Sequence, residues 1–497
     1  MPYAVFAVYL LTLVGITIYT AKRSRNSSDF ILGGKQISGV SLALSERATG
    51  ESAWLLLGLT GEAYLLGLQT FWIALGCVVG IIFIWFVMGE RLQMERERTG
   101  ALTISSLLSK KFPGSEKVIG TLSASIIVFF FLFYVEAQFY GGGKVLYDTF
   151  GLNPLWGVVA GSLIVVLYCM IGGFITVVFT DVFQAILMII TLILLPVILM
   201  YIAASKDIHL AQAIMKAGTE FSSLTAGKEG MAGFLLALSG MSWALGYTGQ
   251  PQLLTRMMAI RDKKEVTAAK WVAAGWTVLA YGGALMIGLL GYAFAQNGVL
   301  PAQSLAKLSD TKANGCELIL PVLINFFVTP VVGGVLLCGA ISAMMSTASS
   351  EIIVSSSSVT EDIYGAFSKK QMTPKQSLRF NRWVTLAFGL AAFIMALTVK
   401  DSVYGLVSYA WSGIGSSFGP ALLLLLYWKK FSRAGVIASL ISGTAGTIIW
   451  KTWLVGPSGG ISERLASFVF AFLMAVLFSY LFPEKSEAPA EARPYFI

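Results

Sequence analysis

The sequence predicts an all-α integral membrane protein of about thirteen transmembrane helices. Three observations carry this. Hydrophobic residues make up 56% of the 497 and charged residues only 12%, about half the roughly 25% charged share of a soluble domain. Apolar stretches near the length that crosses a bilayer core recur along the whole chain. Basic residues gather in alternate connections, as a fixed orientation in a membrane requires.

A window of about 20 apolar residues places the spans at roughly 3–20, 39–67, 70–89, 117–142, 154–176, 178–204, 231–251, 266–296, 317–357, 380–399, 403–428, 433–455 and 462–482. The first has no basic stretch before it and no small-residue cleavage site after it, so it reads as a retained helix and not a signal peptide. No soluble domain interrupts the series, and the tail from Pro483 is too short for a signalling or nucleotide-binding domain. With the N-terminus outside, odd-numbered spans exit into the cytoplasm. The cytoplasmic connections and tail then hold 25 of the 35 Lys and Arg, the outer connections hold nine, and Arg47 lies within a span. The expectation is a multi-pass plasma (inner) membrane protein with its C-terminus cytoplasmic. The net charge of +9 belongs to those loops and does not call for nucleic acid. The expected partners are the lipid bilayer and a small-molecule substrate, with no obligate protein partner evident.

Four widely spaced cysteines without a CxxC pair, and a single histidine, His209, argue against a zinc centre or a disulfide framework. No HExxH or GxSxG stretch marks an enzyme, and no GxxxxGK[ST] loop marks an ATP-driven pump. A sensor would need an attached signalling domain. A channel would dissipate a gradient, and counterflow of labelled solute separates it from a carrier.

Two spans are interrupted. The second reads SERATGESAWLLLGLTGEA (45–63), with Glu46, Arg47, Glu51 and Glu62 among helix-weakening Thr49, Gly50 and Ser52. The seventh reads LSGMSWALGYTGQPQ (238–252), with Gly240, Gly246, Gly249 and Pro251. Glycine in a membrane helix by itself only permits close packing. Here the two starts are five spans apart, so both breaks open a repeat if spans 2–6 (39–204) and 7–11 (231–428) are repeats, with 433–482 peripheral. Interrupted spans at matching places point to the binding site of a secondary transporter, because freed backbone groups survive in lipid only where they line a cavity or meet protein and ions.

Five stretches, SAWLLLGLTG (52–61), FTDVFQAILM (179–188), WALGYTGQP (243–251), AMMSTASSEIIVSSSSVTEDIY (343–364) and SYAWSGIGSSFGP (408–420), give the chain a resemblance to the sodium/solute symporter family, of the sodium/proline type. The resemblance implies a five-plus-five inverted-repeat core of the leucine-transporter-like fold, alternating access, and sodium-driven uptake of a small amino acid, proline first. Independently, Ala343, Ser346 and Thr347 stand at i, i+3 and i+4 on one helix face, and a sodium ion wants about five or six hard oxygens. The family's sodium site joins such a trio to two carbonyls of the broken second span, which carry over to Ala48 and Glu51. Lone membrane serines usually bond their own i−4 carbonyl, so Ser349, Ser350 and the run Ser355 to Ser358 read as packing. For substrate, the resemblance points to Trp243, Tyr247 and Tyr134, and more weakly to Ser52, Trp54, Gln250 and Ser412, rings for an apolar body and hydroxyls for a polar end. Trp411, Ser412, Gly413 and Gly415 mark a glycine-weakened segment facing the site, an outer gate or its hinge. Asp181 either caps the sixth span or, by resemblance, helps sodium leave.

The chain departs from the sodium/proline pattern at its second span. An Ala-Ser-Asp-Met-Ser-Gly-Trp run is usual there; this chain has Gly50 in place of the Asp and Glu51 in place of the Met. Glu46, Arg47 and Glu136 are also unexpected, and intramembrane charge marks functional candidates. Glu46 and Arg47 are adjacent and, by helix spacing, do not face each other. Glu51 either replaces the missing Asp beside Na+ or carries H+ as the coupling ion, since desolvation without a cation favours the neutral acid. Arg47 either bridges to Glu136 or to the neighbourhood of Glu46, or clamps the carboxylate of an acidic substrate.

Overall fold

The computed structural model describes residues 2–24, 26–151, 153–368, 372–398, 401–458 and 461–484, and among them every regular element is helical. Arg25, Lys369, Lys370, Lys400 and everything after Glu484 lie outside them. Ten continuous helical runs among the described residues are long and apolar enough to cross a bilayer. Two of these hold a pair of expected spans each, Gly39–Thr99 with 61 residues and Leu155–Ser205 with 51. The first turns at Gly67 (φ 68, ψ −139) and the second at Gly173 (φ 61, ψ −153). Only glycine enters such backbone cheaply, and at Gly173 a side chain would also collide with the Phe30 ring.

In chain order the principal helices are α1 (Pro2–Ala21), α2 (Gly39–Ala53), α3 (Phe71–Phe83), α4 (Glu116–Phe150), α5 (Pro154–Ser205), α6 (Gly230–Met241), α7 (Trp243–Tyr247), α8 (Pro251–Ala259), α9 (Lys263–Gln296), α10 (Ile319–Phe327), α11 (Pro330–Ser358), α12 (Pro374–Ala396), α13 (Val403–Tyr427), α14 (Arg433–Ile449) and α15 (Glu463–Leu481). Their starts follow local chemistry. Ser38, Asn153, Asp262, Thr373, Ser402 and Ser432 each accept a first-turn backbone N–H, satisfying donors that lipid would leave orphaned.

The expected span 317–357 is divided. Val328 and Thr329 are extended and Pro330 begins α11, because a proline pushes the residue before it out of helical backbone. Burial sorts the helices into layers. In α11 and α13 the most apolar stretches are 83% and 89% buried, against 22% in α1, so α11 and α13 run through the centre. Leu11, Trp156 and Tyr201 are exposed on the outer face of peripheral helices, as lipid contact requires.

Both expected interruptions are present. Ser52 takes φ 49, ψ −173 at the end of α2, close to a region that side chains rarely tolerate. The second break separates α7 from α8 at Thr248, Gly249 and Gln250, with Pro251 opening α8. The bundle holds both breaks against its two central helices: α2 packs on α11 and α7 on α13.

Candidate functional site

The break at Ser52 leaves the last turn of α2 with carbonyls that no helical N–H takes. The Ser346 hydroxyl of α11 donates to the Ala48 carbonyl at 2.9 Å and lies 3.1 Å from the Ala343 carbonyl. The Thr347 hydroxyl donates to the Thr49 carbonyl at 2.7 Å and lies 3.0 Å from that of Ala343. Five oxygens from two helices therefore converge in a fully buried place. The α2 carbonyl that meets Thr347 is that of Thr49, whereas the Glu51 carbonyl accepts the Trp54 N–H. The kink at Ser52 leaves the Glu51 carbonyl in a local turn closed by that bond. Sequence spacing missed Thr49 because it gives no hint of which carbonyls a break frees.

Next to these oxygens lies a second polar knot. Asp181 Oδ2 accepts from Ser45 at 2.6 Å, Thr49 at 3.3 Å and Arg256 at 3.2 Å. Arg256 also donates to the Gln252 carbonyl at 2.7 Å and to Ser350, whose hydroxyl shares a hydrogen bond with Thr49 at 2.8 Å. Asp181 is not a helix cap. The helix resumes after Gly173, so Asp181 sits two turns inside it, and its carboxylate reaches across to α2 and α8. Arg256, on α8 beyond the second break, ties that helix to α2 and α5.

Glu46 and Arg47 do face each other, against the expectation from helix spacing. A long guanidinium can fold back on its own turn: Arg47 Nε donates to Glu46 Oε2 at 2.6 Å and Nη2 to Glu46 Oε1. Arg47 Nη1 donates to Glu51 Oε1 at 2.7 Å and to Thr277 Oγ1 of α9 at 3.1 Å. Trp85 Nε1 donates to Glu46 Oε2 at 2.9 Å. Arg47 is thereby paired with Glu46, Glu51 and Thr277 and not with Glu136. Glu136 is buried on α4 with Oε2 unpartnered among the described residues. Glu51 Oε2 is likewise unpartnered, and the Tyr281 hydroxyl of α9 lies beside the Glu51 carboxylate. That carboxylate faces α9, while the Ala48 and Thr49 carbonyls face α11.

Aromatic rings fill the space between the two breaks. The Trp54 and Trp243 centroids are 4.4 Å apart, Tyr247 and Trp411 4.6 Å, and Trp243 and Trp411 5.9 Å. Tyr134 meets Trp411 edge-on at 6.5 Å, and the Tyr247 and Tyr281 hydroxyls share a hydrogen bond of 2.8 Å. Gln250, within the second break, donates to the Trp411 carbonyl at 3.1 Å. Gly246 gives Trp411 its seat, since a side chain there would overlap the indole nitrogen. Trp411, on the glycine-weakened segment expected to face the site, joins the group, as do Tyr281 and Tyr404, for which the sequence offered no signal. Ser412 does not join it. Its hydroxyl turns to the Ser408 carbonyl at 2.7 Å and Glu463 at 3.2 Å. Arg464, the neighbour of Glu463, covers Trp243 with its guanidinium 4.5 Å from the ring, a contact worth about 1–2 kcal/mol when desolvated.

Two interrupted helices, each giving main-chain groups and side chains to one buried centre, define a secondary transporter of the leucine-transporter-like fold. The chain matches the sodium:solute symporter family over residues 30–443 and belongs to it; it is a transporter and not an enzyme. It is 33% identical to the sodium/proline symporter of Escherichia coli (strain K12) over 490 residues, which is 98% of this chain and 93% of that one. The sodium/proline symporter of Staphylococcus aureus (strain JH9) is also 33% identical, over 496 residues, with the same coverage. Among solved structures, a Na+-coupled sialic acid symporter in a substrate-bound outward-open state superposes with a TM-score of 0.79 at 18% identity, covering 96% of this chain and 98% of that one. MhsT in complex with L-phenylalanine gives 0.53 at 15% identity, with coverage of 88% and 98%. Sodium is the coupling ion of the family.

Proposed function

We propose that this protein takes up a small amino acid, proline first, by sodium symport through alternating access. The observation that carries the reading is the meeting of Ser346 and Thr347 with the Ala48 and Thr49 carbonyls freed at Ser52. A sodium ion would sit among these four oxygens and the Ala343 carbonyl, and its charge would replace the hydroxyl hydrogen bonds that now satisfy the carbonyls. Trp54, Trp243, Tyr247 and Trp411 offer an apolar shelf, and Tyr247 a hydroxyl, for the substrate beside it. In this reading 39–204 and 231–428 are the inverted repeats, the N-terminus is outside, and Arg464 over Trp243 closes the outer face.

Thermal-shift screening of purified protein against amino and organic acids, with and without sodium, tests the reading, since a ligand of the native state raises the midpoint by mass action. Proline with sodium is expected to give the largest shift, and Ser346→Ala with Thr347→Ala to remove its sodium dependence. A sodium-dependent shift retained in that double variant places the ion elsewhere. A second reading, proton symport through Glu51, is favoured by the unpartnered Glu51 Oε2. Full concentrative uptake by proteoliposomes on a pH gradient without sodium would establish it in place of the first.

A further inference from the structure

The most exceptional carboxylate in the bundle has no part in the site so far. Glu351 is fully buried on α11, and neither of its side-chain oxygens has a hydrogen-bond partner among the described residues. An ionised carboxylate left that way in a membrane is costly unless something else meets it. Its position is specific. Thr347, Glu351, Ser355, Ser358 and Asp362 follow one another at steps of four, four, three and four residues, which keeps them on one helix face. Ser355 Oγ is buried and unpartnered as well. Beyond Ser358 the helix widens to π-geometry over Val359–Tyr364, a form that recurs at functional sites. There Asp362 is buried and accepts from Thr103 at 2.9 Å.

The facing helix is α4, running antiparallel. Its Gly120 lies against Asp362, and its Tyr134 is within electrostatic reach of Glu351. Between them on α4, the buried Ser123 hydroxyl also lacks a partner. The α11–α4 seam thus carries oxygens at intervals of about one helical turn, about 5–6 Å, several of them unmatched. Ordinary helix packing satisfies such groups; a path for a cation leaves them free.

We propose that Glu351 is a cation-binding carboxylate that receives Na+ leaving Thr347 and passes it along Ser355 and Ser358 to Asp362 at the cytoplasmic end of α11. The proposal rests on the sodium site at Ser346 and Thr347 and on the orientation given above. Each step exchanges one set of hard oxygens for the next, and the single negative charge at mid-path lowers the cost of moving a bare cation through a low-dielectric seam.

The test compares wild type, Glu351→Gln, Glu351→Asp, Ser355→Ala and Thr347→Ala in proteoliposomes, by ²²Na+ influx and by the sodium-dependent thermal shift of purified protein. Glu351→Gln should keep the thermal shift while slowing influx roughly tenfold or more, the loss expected for one charge-assisted contact. Glu351→Asp should recover part of the rate, and Ser355→Ala should slow it less. Wild-type influx in Glu351→Gln overturns the proposal, as does a variant that loses co-transported protons, read by an internal pH dye, with ²²Na+ influx unchanged. If Glu351→Gln does not fold, Ser355→Ala decides, and wild-type influx in it overturns the path. A sodium-dependent shift that survives Thr347→Ala instead removes the first sodium site, a failure distinct from that of Glu351.

Discussion

Replacing Arg47 with methionine tests the electrostatic account of the broken second span. Arg47, Glu46 and Glu51 are fully buried, and the trio carries one positive charge against two negative. Methionine keeps the unbranched stem and its packing but leaves two carboxylates, held by little more than Trp85 and Tyr281. Removing one member of a buried ion pair costs about 3–5 kcal/mol, because the remaining charge is left uncompensated. Glu51→Gln should be much milder, at about 1–2 kcal/mol, since Glu46 and Arg47 remain a neutral bidentate pair. Adding Glu46→Gln to Arg47→Met should recover part of the loss, because one of the stranded charges is gone. The assay is thermal unfolding of purified protein in detergent, followed by tryptophan fluorescence and arranged as a double-mutant cycle. The order of midpoints should be wild type, Glu51→Gln, the double variant, then Arg47→Met. An Arg47→Met protein with the wild-type midpoint, or a double variant no better than Arg47→Met, would refute the reasoning.

Other positions give sharp contrasts. Ser52 sits at φ 49, so Ser52→Gly should hold the wild-type midpoint within about 1 kcal/mol, whereas the β-branched Ser52→Val should lose about 2 kcal/mol or more in the same unfolding assay. Gly173→Ala combines a positive φ with an overlap on Phe30 and should cost more than about 1 kcal/mol, read as a lower midpoint and a lower folded yield. Tyr247→Phe removes the hydroxyl shared with Tyr281; if that hydroxyl orients substrate, KM for uptake should rise roughly five- to tenfold for a lost hydrogen bond of about 1–1.5 kcal/mol, with the unfolding midpoint little changed.

Much of this architecture was legible in the chain for one reason: lipid allows little choice. Span length and the placement of Gly, Ser and Pro at the two breaks follow from having no water to satisfy the backbone. What escaped sequence reasoning depends on reach and direction. Arg47 could be judged unable to meet Glu46 only by treating side chains as points on a wheel, and a guanidinium several bonds long is not one. Trp411 and Ser412 read together as one segment facing the site, yet only Trp411 fills the space between the breaks, because Gly246 leaves room for an indole and the Ser412 hydroxyl is satisfied by its own helix and Glu463. Span 317–357 reads as one run because its hydropathy is continuous, and hydropathy is blind to Pro330, at which the run divides.

The same distinction bears on how the second span can lack the usual Asp and still serve the sodium site proposed above. An Asp side chain would place its charge one turn from Arg47, within the helix that breaks. Here Gly50 stands at that position, with Arg47 Nη2 close beside it, and the negative charge has moved to Glu51, on the side facing α9. The oxygens that face α11 are then neutral, two carbonyls of α2 and one carbonyl and two hydroxyls of α11. Neutral oxygens bind a sodium ion less tightly than a carboxylate does. A site of that kind releases its ion more readily, and the nearest compensating charges lie on either flank, Asp181 paired with Arg256 and Glu51 paired with Arg47. The first pair joins α5 to α8, with Arg256 also reaching Ser45 of α2, and the second lies within α2, whose Arg47 also reaches Thr277 of α9. In the proposed site, an ion arriving among the neutral oxygens would change the field felt by both pairs, and opening either pair would loosen the hold on α2. Ion occupancy would then be linked to the movement of α2 without the ion touching a charged side chain.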